Sequence, residues 1–271
     1  MIYPFDFHVH STFCDGKSTL EETVKSAVQK GMVSLGFSGH SYTDFDSSYC
    51  MSECDTEKYI AKINVLKEKY KDKINIFCGV EKDYYSDINT DNFDYVIGSV
   101  HYCKQNEKYI DIDLSVDDFI KSTKLYFNDD YYLFCESYFK KVADVYNRTK
   151  CDIIGHFDLI TKFNEQDKLF NTNDKRYVDM AISAVDKLLQ QNVIFEINTG
   201  AISRGYKTSA YPARFILERI KEKGGSIILS SDCHFKDNLM YDFDNAIDYI
   251  KSVGFNKVKS FDKNGFYDVK I

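Results

Sequence analysis

Short apolar runs alternate along the chain with segments of helical period. The strand-like runs cover residues 3–8, 33–38, 74–81, 95–100, 152–155, 193–198 and 226–230. Each is flanked by Gly, Ser, Asp or Asn, the pattern of a parallel strand buried on both faces. Between them, Ser18-Thr19-Leu20-Glu21 reads as a capping box opening a helix that stops at Gly31. Tyr59, Ile63, Leu66 and Tyr70 form one helical stripe, and Val178, Ala181, Ile182, Val185, Leu188 and Leu189 form another. Pro212 suits the first turn of a third helix. Phe243, Ala246, Ile247 and Ile250 line a fourth, which stops at Gly254. The stretch after Ser115 reads as two helices, and the interval from Glu81 to Tyr95 is too short for a crossover helix.

Repeated strand–helix alternation predicts a parallel α/β sheet. Seven such runs in 271 residues predict a closed or nearly closed (β/α) barrel, whose site would gather at the C-terminal strand ends. An open doubly wound sheet is the alternative; it would concentrate its ligands at one switch point. No linker, repeat or low-complexity tract marks a boundary, so residues 1–271 are read as a single domain.

The composition narrows the function. Net charge is −7, from 35 basic and 42 acidic residues, which disfavours broad nucleic-acid binding. No run approaches transmembrane length, and the first residues lack the basic and apolar regions of a signal peptide, so a cytoplasmic protein without a membrane partner is expected. The eight cysteines fit a disulfide framework poorly in such a chain. Cys50 and Cys54 lie four apart, but no second close pair completes a thiolate zinc site.

The candidate chemistry lies at the strand ends. All six histidines, His8, His10, His40, His101, His156 and His234, fall at or just past an apolar run, and so do Asp15, Glu81 and Asp232. Alternation along a strand puts His8 and His10 on one face, and Asp232 and His234 are again two apart. Singly, each would be read as a cap or a satisfied polar residue. Crowded together without cations, so many titratable groups would be costly to bury. A nitrogen and oxygen donor set suits zinc, manganese or iron, and nine donors suffice for two or three ions.

In order along the chain, His8-Val9-His10, Asp15, Gly39-His40-Ser41, Gly79-Val80-Glu81, Ser99-Val100-His101, Gly155-His156-Phe157-Asp158 and Ser231-Asp232-Cys233-His234 resemble the motifs of the polymerase-and-histidinol-phosphatase (PHP) family. The chain length and segment 155–160 resemble its stand-alone phosphatases of histidine biosynthesis. The resemblance implies a distorted seven-stranded (β/α) barrel with a trinuclear metal site. One ion would take His8, His10, Glu81 and Asp232; a second Asp15, His40 and His234; a third Glu81 as a bridge, His101 and His156. Some members of the family carry histidine where Asp15 stands. The implied activity is hydrolysis of a small phosphate ester, L-histidinol phosphate, with Arg204 and Lys162 as the phosphate cations and Asp232 and His234 as catalytic groups. Where Lys162 stands an arginine is expected, and a lysine offers a point charge rather than a planar fork. Another small ester, a nucleic-acid 3′ end or a non-catalytic metal-binding barrel are the alternatives.

Overall fold

In the computed structural model, residues 4–271 are described, so Tyr3 of the expected first strand lies outside them. All seven apolar runs contain strands: β1 (Phe5–Asp6), β2 (Ser34–Phe37), β3 (Asn75–Asp83), β4 (Tyr95–Ser99), β7 (Ile153–Ile154), β8 (Ile194–Asn198) and β9 (Ser226–Ser230). They pair parallel in chain order, with no switch point. Two hairpins are additional. β5 (Tyr102–Gln105) and β6 (Lys108–Asp111) form a separate two-stranded sheet, and β10 (Lys257–Asp262) and β11 (Gly265–Lys270) continue the main sheet beyond β9.

The main sheet is therefore a curled one of nine strands, the seven expected parallel strands followed by β10 and β11. Strand β10 mixes Lys257, Lys259, Ser260 and Asp262 with Val258 and Phe261, so it is not a mostly apolar run. Curling nevertheless brings the first and seventh parallel strands together at the C-terminal rim. There Val9 pairs with Cys233, through His10 N–H to the Cys233 carbonyl at 2.8 Å and Cys233 N–H to the His8 carbonyl at 2.9 Å.

The helices are α1 (Leu20–Gln29), α2 (Glu53–Tyr70), α3 (Val116–Tyr126), α4 (Tyr131–Val142), α5 (Val145–Thr149), α6 (Lys175–Leu188), α7 (Gly200–Ser203), α8 (Arg214–Glu222) and α9 (Phe243–Ser252). The capping box of α1 is set one residue later than expected: Thr19 is the cap, and Glu22 returns the bond. Pro212 lies just before the Ala213 cap of α8 rather than inside its first turn. The stripe on α2 and the one on α9 are buried as expected. On α6 the buried face includes Tyr177 and Ala184, while Val178 and Ile182 are half-buried.

Beneath the rim the sheet is plugged by aromatic rings. Tyr95, 1% exposed, donates its hydroxyl to the Phe7 and Phe37 carbonyls at 2.6 and 3.1 Å, which ties β1, β2 and β4 together below the histidines. Its ring lies over Gly79, where an added Cβ would stand 2.3 Å from Tyr95 Cζ. A side chain there would displace the plug that sets the strand spacing.

Candidate metal centre

Each expected ligand is held by the local backbone at the C-terminal rim. His8 and His10 follow β1, His40 follows β2, His101 follows β4, His156 follows β7, and Asp232 and His234 follow β9. Glu81 sits inside β3, two residues before its end rather than at it. Asp15 comes from the turn after β1, where the Cys14 and Gly16 N–H groups both donate to the Ser11 carbonyl. Asp232 adopts a left-handed backbone conformation at φ 47°, a strained choice for a non-glycine residue that clusters at functional sites.

The nine side chains converge. Glu81 Oε2 lies 3.1 Å from His8 Nε2, 3.5 Å from His10 Nε2 and 3.0 Å from His40 Nδ1. Its other oxygen lies 2.9 Å from His156 Nε2 and 3.4 Å from His101 Nε2. Asp232 Oδ1 is 3.3 Å from His10 Nε2 and 3.4 Å from His234 Nδ1. Asp15 reaches His234 Nε2 at 3.0 Å and His40 Nε2 at 3.7 Å. Three sets have donor atoms mutually within 4.8 Å: His10, Asp15, His40 and His234; His8, His10 and Asp232; and His40, Glu81 and His101. These sets overlap the three groupings expected from the sequence but differ from them: His156 falls in none, and Glu81 joins His40 and His101 and not His8, His10 and Asp232. His10 belongs to two of them, and His40 approaches Glu81 as well as Asp15. No cysteine enters a set among the described residues, and all eight are free thiols.

The residues fit metal ions better than they fit one another. His8 Nε2, His10 Nε2 and Glu81 Oε2 are buried and have no hydrogen-bond partner, although the carboxylate oxygen lies 3.1 and 3.5 Å from the two nitrogens. Donor atoms that converge without being aligned to bond each other are arranged around a point between them. Unpartnered burial of this kind costs about 1–3 kcal/mol per group, a cost that a cation removes. The charges point the same way. Burial would raise the Glu81 carboxyl, but His8, His40 and His101 hold it well below the ordinary glutamate range. Burial, with His234 and His40 beside it, pushes the His10 imidazole down to about 3.

Beside the cluster opens a cavity of about 460 Å³. Arg204 and Lys162 both line it, along with Tyr49, Tyr102, Leu114 and Tyr206. Arg204, at the end of α7, donates Nη2 to Asp232 Oδ2 and Nη1 to the Asp232 carbonyl, both at 2.9 Å. Lys162 Nζ is already engaged, donating to the Asp113 carbonyl at 2.8 Å and to its carboxylate at 2.9 Å. Asn198 shapes the Arg204 loop by accepting the Gly200 N–H at 2.8 Å and pairing its backbone with Tyr211.

Two buried carboxylates at the site are absent from the sequence reading. Glu196 contacts His8 Nδ1, and Asp83 contacts His101 Nδ1 at 3.2 Å. Both signals are local: Glu196 is a carboxylate inside the apolar run 193–198, and Asp83 shares a strand face with Glu81.

A curled parallel α/β sheet with imidazoles and carboxylates gathered on its C-terminal rim defines a class, the multinuclear metal-site α/β proteins. The chain belongs to the PHP domain family, whose model matches residues 6–200. A relative named a probable histidinol-phosphatase, from Schizosaccharomyces pombe, is 31% identical over 96% of this chain and 90% of its own length. The histidinol-phosphatase of Bacillus subtilis is 24% identical over 88% of this chain and 96% of its own. The fold is similar, with TM-score 0.70, to the histidinol phosphate phosphatase of Lactococcus lactis, whose crystal structure contains zinc, L-histidinol and phosphate. That likeness covers 97% of this chain and 98% of the other at 20% identity.

Proposed function

We propose that this chain is a metal-dependent phosphomonoesterase that hydrolyses L-histidinol phosphate to L-histidinol and phosphate. The observation that carries the reading is the convergence of His8 Nε2 and His10 Nε2 on Glu81 Oε2, all buried and unpartnered, behind a cavity that Glu81 and Arg204 both line. The names of the relatives supply the substrate. Two or three divalent ions (zinc, manganese or iron) held by the nine rim residues would supply Lewis acidity and a water of lowered pKa.

The chain's own groups do the rest. Arg204, fixed to Asp232, presents its remaining N–H groups to the phosphoryl oxygens and offsets their charge. Lys162 adds a weaker positive field from across the cavity, since Asp113 shares its charge. To Asp232 and His234, which border the cavity beside Arg204, we assign the proton of the leaving alkoxide. The seven parallel strands serve as the barrel wall, and β10 and β11 are an appended edge, with residues 1–271 acting as one domain. No helix among the described residues is long and apolar enough to cross a membrane, in keeping with a cytoplasmic enzyme of small-molecule metabolism.

The test is phosphate release by the purified chain with zinc, manganese or iron restored. L-Histidinol phosphate is compared with other small phosphate esters and with oligonucleotide 3′ ends. The proposal expects histidinol phosphate to have the highest kcat/KM. Strong cleavage of another ester without it would overturn the substrate, and bound metal without turnover of any ester would overturn catalysis.

A further inference from the structure

We infer that Glu196 is a positioning residue that sets the ring tautomer of His8 and, through the same carboxylate, holds the backbone that carries His156. The inference rests on the metal centre proposed above and concerns the hydrogen bonds behind it. Glu196 lies on β8 and is 1% exposed, whereas His8 follows β1 and His156 follows β7.

Four donors converge on this one side chain. Oε1 faces His8 Nδ1 and the Ser230 hydroxyl. Oε2 accepts the His156 backbone N–H at 2.7 Å and the Asn198 amide at 2.9 Å. The backbone N–H can only donate. Asn198 must donate as well, because its Oδ1 already accepts the Gly200 N–H. An ionised carboxylate accepts on both oxygens, whereas a glutamine whose oxygen kept the His156 and Asn198 bonds would turn its NH2 group toward His8 Nδ1 and favour the other ring tautomer.

Two consequences follow for the rim. The His8 proton is held at Nδ1, which leaves Nε2 as the lone pair facing Glu81 Oε2 at 3.1 Å and Asp232 Oδ1 at 3.7 Å. A ring nitrogen that donates to a carboxylate behind it is what orients a histidine ligand and raises its basicity. The His156 ring has no such support, since its buried Nδ1 is without a hydrogen-bond partner. That residue depends on its backbone bond to Glu196 instead. Asp83 supports His101 alone, whereas Glu196 links ligands expected at two different ions.

The test is Glu196→Gln, read by zinc affinity in chelator competition, with metal-free unfolding as the check on folding. The expected result is zinc binding weakened about 10- to 100-fold, with cooperative unfolding retained. Zinc affinity within about twofold of the unsubstituted protein would overturn the inference. Should Glu196→Gln not fold, the unsubstituted zinc-loaded protein decides by nitrogen-15 NMR of its histidine rings. His8, assigned by loss of its signals in His8→Ala, is expected to keep its proton on Nδ1 and bind zinc through Nε2; zinc on Nδ1 overturns the inference. Neither readout uses phosphate release. A chain that binds zinc in this way and leaves histidinol phosphate intact would sink the substrate reading alone.

Discussion

Arg204→Ala separates phosphate recognition from metal binding. The guanidinium has five N–H donors; two bond Asp232 and Nη1 also lies 3.2 Å from His234 Nδ1, which leaves at least two for a phosphate. A hydrogen bond to a charged group contributes roughly 1.5–3 kcal/mol, and about 1.4 kcal/mol is tenfold in rate. Losing one net bond of this kind from the bound phosphoryl group therefore lowers kcat/KM by about 10- to 150-fold. The side chain is 28% exposed, so solvent screening favours the lower half of that range. If Arg204 grips the ground state and the transition state alike, the loss falls on KM and kcat stays near its starting value. Arg204→Lys keeps the charge but not the fork, and its kcat/KM should lie between the two. Steady-state kinetics on protein of measured metal content is the assay, because Asp232 also loses its partner. An unchanged kcat/KM at full metal content would remove Arg204 from the phosphate site.

Three further outcomes are expected. Lys162→Met should lower kcat/KM less than Arg204→Ala, by under about tenfold, because Asp113 already offsets the charge; an equal or larger loss in the same kinetics would show that Lys162 leaves Asp113 for the substrate. Stripping the metals with a chelator should lower the melting temperature by roughly 8–16 °C, since ligand at 1,000 times Kd stabilises by about 4 kcal/mol; calorimetry showing no shift would mean that the rim does not hold ions in the folded state. Gly79→Ala should cost about 1–3 kcal/mol in denaturant unfolding, because the new methyl meets the Tyr95 ring; an unchanged midpoint would mean that the plug moves freely.

The parallel strands and the gathering of histidines at their ends are legible in the sequence because both have local signatures. An apolar run bounded by turn residues marks a buried strand, and the residue just past it lies on the rim. Hairpins β5–β6 and β10–β11 lack that signature, since their strands mix polar and apolar residues. The engagement of Lys162 is not legible either: Asp113 lies 49 residues away, on a connection whose path only the fold decides. Glu196 and Asp83 fall between these cases. A strand-face argument places Asp83 beside Glu81, and the same alternation groups Glu196 with Asn198. What those carboxylates face depends on curling, which brings the ends of β1, β7 and β8 within reach of one side chain.

The central claim is that the rim residues hold a catalytic cluster of metal ions with Arg204 at the phosphate. Anomalous diffraction from crystals grown with zinc and phosphate measures it most directly. Two or three zinc peaks are expected at the rim, with Glu81 shared between ions and a phosphate oxygen within hydrogen-bonding distance of Arg204. Zinc bound only away from His8, His10, Glu81 and Asp232, in protein that hydrolyses histidinol phosphate, would contradict it.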